Sequence, residues 1–278
     1  MITETDVPGP DGRTLHAYDT GTGDLVVLWH HGTPNLGTPP APLFPAADRL
    51  GIRWVSYDRP GYGGSTPNPG RDVASAAADT AAVADALGVD RFAVLGHSGG
   101  GPHALACAAL LPDRVLAAAG VSGLAPYPSP GLDWFAGMAP GSAASLRAAR
   151  AGRAAKEAYE AGPPPDEDIG FGPADWAALS GPWSWFGGVV NAALAGGPGP
   201  LIDDDLAYVA PWGFDPATVR APLLVVHGEA DRMCPPGHAR WLADHCPTAE
   251  LRLLPGEGHV SVLTPAGEPT LHWLTTHP

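Results

Sequence analysis

Three residues far apart in the chain have the types and local settings that nucleophilic catalysis needs. Ser98 is the middle of Gly96-His97-Ser98-Gly99-Gly100, directly after an apolar run at 92–95 and directly before an alanine-rich stretch. A chain that turns from strand to helix within one or two residues forces the residue at the turn into a strained backbone conformation, and flanking glycines leave room for backbone to approach. The product is a serine Oγ exposed at a helix N-terminus, where the dipole favours a developing anion. An incidental serine in a glycine-rich turn is the bland alternative, and the strand–turn–helix setting weighs against it. A serine hydroxyl needs a base to take its proton and a carboxylate to orient that base. Gly228-Glu229-Ala230-Asp231-Arg232 follows an apolar run at 223–226, and Pro255-Gly256-Glu257-Gly258-His259 follows another at 250–254. They offer Asp231 as the acid, with Glu229 its nearest rival, and His259 as the base. Both loops leave the carboxyl ends of expected parallel strands, the edge at which open α/β sheets place their sites.

The elements that must hold these residues are legible as an alternation. Short β-branched runs at 25–29, 52–57, 92–95, 115–121, 223–226 and 250–254 predict strands, and the stretches 72–87, 99–111, 238–245 and 269–276 predict helices. A hairpin through 13–19 supplies an antiparallel edge. Gly88 marks a helix C-terminus, and Pro112 stops the next helix. The pattern predicts an α/β fold with a mostly parallel, doubly wound sheet. Between 123 and 219 the alternation stops. Only helical pieces remain, at 142–161, 173–179 and 202–209, with Pro163-Pro164-Pro165 and Gly196-Gly197-Pro198 as joints. We therefore expect a core made of 1–124 and 213–278 and a helical cap, or lid, over 125–212.

Composition excludes several partner classes. Fifteen basic against twenty-nine acidic residues leave a net charge of −14, which gives phosphate-backbone binding no electrostatic footing. Lys156 is the only lysine. No apolar run approaches the roughly 20 residues that span a bilayer, and the first ten residues lack a secretory signal's basic start and apolar centre. The expectation is a soluble, cytoplasmic protein without nucleic-acid or membrane partners, acting on a small molecule. Cys107, Cys234 and Cys246 are too few and too irregular for a disulfide scaffold or a zinc site. The run Asp203-Asp204-Asp205 lacks further ligands nearby and reads as charge at a helix N-terminus rather than as a metal site. No cofactor is expected.

Several motifs resemble those of the α/β-hydrolase superfamily, in its capped branch with a serine nucleophile. His31-Gly32-Thr33-Pro34 resembles the H-G-x-P oxyanion loop, and Asp58-Arg59-Pro60-Gly61-Tyr62-Gly63-Gly64-Ser65 resembles the D-x-x-G-x-G-x-S turn. Trp212-Gly213-Phe214-Asp215 resembles the segment that re-enters the core after the cap. The chain order Ser98, Asp231, His259 is that of the superfamily. The resemblance implies an oxyanion hole made by the backbone N–H groups of Thr33 and Gly99. It also implies hydrolysis of a carboxylic ester or related acyl bond, in a small hydrophobic substrate, through an acyl-enzyme. A serine nucleophile argues against the epoxide hydrolases and dehalogenases, which use aspartate. C–C bond hydrolases, proline iminopeptidases and perhydrolases share the triad, and a non-hydrolytic cyclase or a ligand receptor is a further class on this fold. Aminopeptidases bind the substrate amine through acidic cap residues, for which Asp166, Glu167, Asp168 and Asp204 are the candidates.

Other residues carry weaker signals. Asp58 and Arg59 read as a structural ion pair bracing their loop. His97 is expected to pack or hydrogen-bond behind the serine, and His103, His227 and His238 to be structural. Cys234, close to Asp231, shows no sign of activation. The expected substrate pocket comprises His30, Pro34, Trp134, Trp183, Trp185 and Phe186. Trp183-Ser184-Trp185-Phe186 puts three aromatics into four residues, which cannot all face one way on a helix. At least one is expected on a pocket wall, because burial there shelters the most apolar area.

Overall fold

The β-branched runs pair into one eight-stranded sheet. Its strands are β1 (Thr3–Pro8), β2 (Thr14–Asp19), β3 (Leu25–His30), β4 (Ile52–Tyr57), β5 (Phe92–His97), β6 (Val115–Val121), β7 (Leu223–Gly228) and β8 (Ala249–Leu254). The spatial order is β1-β2-β4-β3-β5-β6-β7-β8. β1 and β2 form an antiparallel hairpin and β2 lies antiparallel to β4; all other neighbours run parallel. The computed structural model describes residues 2–163 and 167–277.

The helices of the core cover both faces of the sheet. They are α1 (Phe44–Arg49), α2 (Ser75–Ala86), α3 (Gly100–Leu110), and, after the insertion, α9 (Gly237–His245) and α10 (Leu263–Thr275). Alternation along β3 sends Leu28 to one apolar cluster, with Val83, Leu105 and Leu242, and Val27 and Trp29 to the other, with Leu263 and Leu271. The inner parallel strands, above all β5 and β7, are buried on both faces, which is why they read as continuous apolar runs, while the edge strand β8 is only partly covered. Chain order reverses between β3 and β5, so the loops after these two strands open a crevice at a topological switch point.

Between β6 and β7 the chain forms α4 (Pro140–Arg150), α5 (Arg153–Glu160), α6 (Pro173–Leu179), α7 (Trp185–Leu194) and α8 (Gly199–Tyr208), with no strand among the described residues. The helix expected over 142–161 is two helices, because Gly152 takes φ 108° and breaks the run. α7 was not expected, its sequence being interrupted by Gly187-Gly188. α10 starts six residues earlier than Pro269, which sits inside it rather than at its first turn. The helix expected from 72 begins at Ser75, whose N–H donates to Asp72 Oδ1 at 2.8 Å. No helix of the described residues is long and apolar enough to cross a membrane.

Candidate active site

β5 runs straight into the turn that carries Ser98. Its φ is 54°, in the left-handed region where a side chain is strained. The neighbours must be glycine: a Cβ on Gly100 would overlap the His30 carbonyl, and one on Gly96 the Gly100 carbonyl. The turn is closed by Ser98 N–H donating to the Val121 carbonyl at 2.8 Å and by Gly101 N–H donating to the Ser98 carbonyl at 2.9 Å.

The loops after β7 and β8 bring two more side chains to it. His259 Nε2 lies 2.8 Å from Ser98 Oγ, and His259 Nδ1 lies 2.8 Å from Asp231 Oδ2. Asp231 Oδ1 accepts the N–H groups of Met233 and Cys234, both at 2.9 Å. His227 Nε2 stands 3.3 Å from Asp231 Oδ2, a contact that its position at the end of a buried strand did not announce. Burial pushes the Asp231 carboxyl up, but His259 and His227 outweigh it and hold the group well below the usual carboxylate range. Burial also disfavours the His259 cation, yet Asp231, with Asp175 beyond it, lifts the imidazole above 6.5. Glu229 takes no part; it is exposed and lies 3.8 Å from Arg240. His97 sits behind the serine as expected, its Nε2–H donating to the His259 carbonyl at 3.0 Å, and burial holds it down to about 3.

Thr33 follows β3 and faces Ser98 across the crevice. Among the described residues no backbone carbonyl takes the N–H of Thr33 or Gly99. The Thr33 hydroxyl donates to Asp204 Oδ2 at 2.6 Å, lies 2.7 Å from the Tyr208 hydroxyl and accepts from Arg59 Nη2 at 2.8 Å. The Tyr208 hydroxyl is also 3.0 Å from the Gly99 carbonyl. Asp204 is fully buried and accepts from Arg59 Nη2 (2.7 Å), Arg71 Nη2 (2.8 Å) and the Tyr62 hydroxyl (3.0 Å). Although burial opposes its charge, Arg59 and Arg71 hold Asp204 well below the usual range.

Two sequence expectations are corrected here. Asp58 and Arg59 do not pair with each other. Asp58 accepts the N–H groups of Gly37 (2.6 Å) and Gly64 (3.1 Å), while Arg59 turns to Asp204. Adjacent residues leaving a strand point to opposite sides. The aspartate run is not a helix N-terminal charge either, because it lies inside α8 and each carboxylate meets a cation. Asp203 meets Arg71 (3.2 Å) and Arg153, Asp204 meets Arg59 and Arg71, and Asp205 meets Lys156 (2.7 Å). Lys156, fully buried, also reaches Glu160 at 2.6 Å and Ser145 at 2.5 Å.

Two cavities share Ser98, Thr33, Pro34, Ile169 and Met233. The larger, about 330 Å³, reaches His259 and is walled by Phe171, Leu179, Phe186 and Val190. The smaller, about 260 Å³, reaches Gly99 and is walled by Leu124, Leu146, Tyr208 and Cys234. Of the expected pocket residues, Pro34 and Phe186 line these spaces and His30, Trp134, Trp183 and Trp185 do not. His30 is buried against Tyr57 and Cys107, with burial holding it down to about 3. Trp134 donates through Nε1 to the Ala125 carbonyl at 2.9 Å and packs edge-on to His238. Trp183 precedes α7 and stacks on Phe186, with ring centroids 5.5 Å apart, while Trp185 packs on Phe186 at a tilt, with centroids 5.1 Å apart. Only Phe186 of the three aromatics reaches the cavity. Cys234 lines the smaller space, but burial drives its thiol well above the ordinary value. Among the acidic candidates for binding an amine, Asp204 is paired, Asp168 bridges Arg232 at 2.8 Å and Glu167 is exposed. Asp166 lies outside the described residues.

The family model described as alpha/beta hydrolase fold matches residues 26–266. A non-heme chloroperoxidase of Streptomyces lividans is 36% identical over 119 residues, 42% of this chain and 43% of that protein. The match thus spans under half of that relative. Among solved structures, an esterase from Thermogutta terrifontis superposes with a TM-score of 0.70 at 21% identity, covering 99% of this chain and 100% of that one. An enol-lactonase from Burkholderia xenovorans gives a TM-score of 0.70 at 19% identity, with the same two coverages of 99% and 100%.

Proposed function

The chain belongs to the alpha/beta hydrolase fold family, and from that premise we propose that it is a serine hydrolase of carboxylic esters or related acyl compounds. The observation that carries the proposal is the continuous chain Ser98 Oγ–His259–Asp231, with both links at 2.8 Å. In the proposed cycle Ser98 Oγ attacks the acyl carbon while His259 Nε2 takes its proton. The Thr33 and Gly99 N–H groups donate to the oxyanion. Collapse breaks the bond to the leaving group, which receives the proton from His259. Water then attacks the acyl-enzyme, again with His259 as base, and releases the acid and Ser98. Asp231 keeps the imidazole in the productive tautomer. Residues 125–212 act as the cap that roofs both cavities.

The two cavities divide the substrate. The group that receives its proton from His259 must lie on the imidazole side, so the larger cavity takes the leaving alcohol. Its Phe171, Leu179, Phe186 and Val190 walls suit a bulky apolar or aromatic one. The smaller cavity, beside Gly99, takes the acyl group. An amine-binding role for the cap is disfavoured because Asp204 and Asp205 are already matched by cations. The identity with the chloroperoxidase favours a second reading on the same residues. Hydrogen peroxide would replace water on the acyl-enzyme, giving a peracid and free Ser98.

A fluorophosphonate should label Ser98 stoichiometrically, and labelling should fall with a competing aryl or long-alkyl ester. Wild-type protein that neither labels nor turns over any ester in such a panel would falsify the hydrolase reading. Peracid formed on adding hydrogen peroxide, in place of free acid, would move the assignment to the second.

A further inference from the structure

Asp175 is fully buried in α6, inside the inserted segment, and the cycle above leaves it without a task. Its hydrogen bonds go to backbone. Oδ1 accepts the N–H of Val260 at 2.8 Å and of Ser261 at 2.9 Å, the two amides that follow His259, and Oδ2 accepts the N–H of Gly172 at 3.0 Å. The fit leaves no slack, since a Cβ on Gly258, the residue before His259, would collide with the Asp175 carboxylate. His259 is therefore held from both sides. Its own carbonyl accepts from His97, and the amides beyond it are gripped by the insertion.

A buried carboxylate without a cationic partner is expensive to keep, and a loop needing only to be closed could use a neutral acceptor. We propose that Asp175 is a positioning residue for the acyl transfer. It fixes the His259 loop so that the imidazole spans Ser98 and Asp231, and its charge favours the imidazolium that forms when Ser98 gives up its proton. Docking of α6 on the core and assembly of the base are then one event. The inference rests on the serine-hydrolase reading. The charged and titratable groups around the imidazole are Asp231 on Nδ1, His227 behind Asp231, His97 with its ring centroid 5.2 Å away, and Asp175. The positive shift of His259 agrees with the two carboxylates outweighing burial.

The test is the second-order rate of Ser98 inactivation by a fluorophosphonate between pH 5 and 9, together with the thermal midpoint. In the wild type the rate should rise with pH as His259 loses its proton, through an apparent pKa above 6.5. In Asp175→Asn that pKa should fall by about one unit, and the plateau should drop about tenfold to a hundredfold as the base loses its alignment. Gly258→Ala keeps the charge but displaces it, so its plateau should drop in the same way with a smaller shift in pKa. Ala178→Gly, in the same helix but away from both cavities, should lower the thermal midpoint and leave rate and pKa unchanged. A wild-type plateau and pKa in Asp175→Asn would overturn the proposal and leave the carboxylate as a docking contact. Should that variant not fold, a wild-type plateau in Gly258→Ala would overturn it equally. Wild-type protein that takes up no label at Ser98 would instead remove the hydrolase reading beneath it.

Discussion

On the oxyanion side of Ser98, α8 inserts Asp204 between Arg59 and Arg71 and ties both to Thr33. On the histidine side, α6 sets Asp175 against three backbone amides and, among the described residues, no arginine or lysine. The first cluster is close to neutral: Arg59, Arg71, Arg153 and Lys156 face Asp203, Asp204, Asp205 and Glu160. The second has no such counter-charges. The difference matches the charges that the proposed acyl transfer would create. An oxyanion is served by fixed N–H dipoles in a rigid, electrically balanced frame, whereas an imidazolium is served by nearby anions. Under that reading one inserted segment supports two half-sites by two different means.

The most severe way to break this comparison is to remove the centre that both sides serve. Ser98→Ala should lower ester turnover by up to about 10⁶ if the three residues act as a unit; a tenth of wild-type activity on an aryl ester would displace Ser98 as nucleophile. Next comes the link on the histidine side. Asp231→Asn should cost roughly 10⁴ in kcat through the wrong tautomer, while Glu229→Gln, altering an exposed carboxylate, should stay within about twofold. Matched assays with the ranking reversed would hand the acid role to Glu229.

The oxyanion side is tested through stability. Asp204→Asn leaves Arg59 and Arg71 buried with less counter-charge, which should destabilise by roughly 3–5 kcal/mol and lower the melting point by about 10 °C. Because Asp204 is depressed in the fold, its contribution holds above the unfolded carboxylate pKa and disappears only as pH falls through the lower folded value. The stability gap between wild type and Asp204→Asn, measured by denaturant titration, should therefore persist to mildly acidic pH and close below it. The smallest effect concerns the leaving-group cavity. Phe186→Ala should reduce kcat/KM for bulky aromatic alcohol esters about tenfold and spare methyl esters. Trp183→Ala should lower the thermal midpoint more than it alters that preference; equal loss of preference in both would restore Trp183 to the pocket wall.

What sequence could show depended on how local the constraint is. Ser98, Asp231 and His259 sit in loops whose glycines and flanking strands declare a turn, so the sheet and the meeting of these three side chains are readable together. The run Asp203–Asp205 hides its pairing because the partners are remote: Arg59 and Arg71, which meet Asp203 and Asp204, lie more than 130 positions upstream, and Lys156, which meets Asp205, lies in another helix. A helix expected to start at 202, after Gly196-Gly197-Pro198, puts the run in a first turn by local rules alone. Asp175 carries no signal beyond that of an acid in the first turn of a short helix. Its partners are backbone amides, which leave no mark on residue type, although Gly258 beside His259 was a trace of the close approach. Apolar area alone assigns Trp183 and Trp185 to the pocket, and it cannot distinguish a wall from the layer supporting it.

The burial of Lys156 reaches beyond the site. It is the chain's only lysine, and its ammonium is closed off between Asp205, Glu160 and Ser145. The folded surface therefore presents no lysine amine to acylating reagents, cross-linkers or lysine-modifying enzymes. Reaction at Lys156 requires the packing of α4, α5 and α8 around it to open. That makes one amine a built-in gauge of how often these three helices part, readable by mass spectrometry on the unaltered protein.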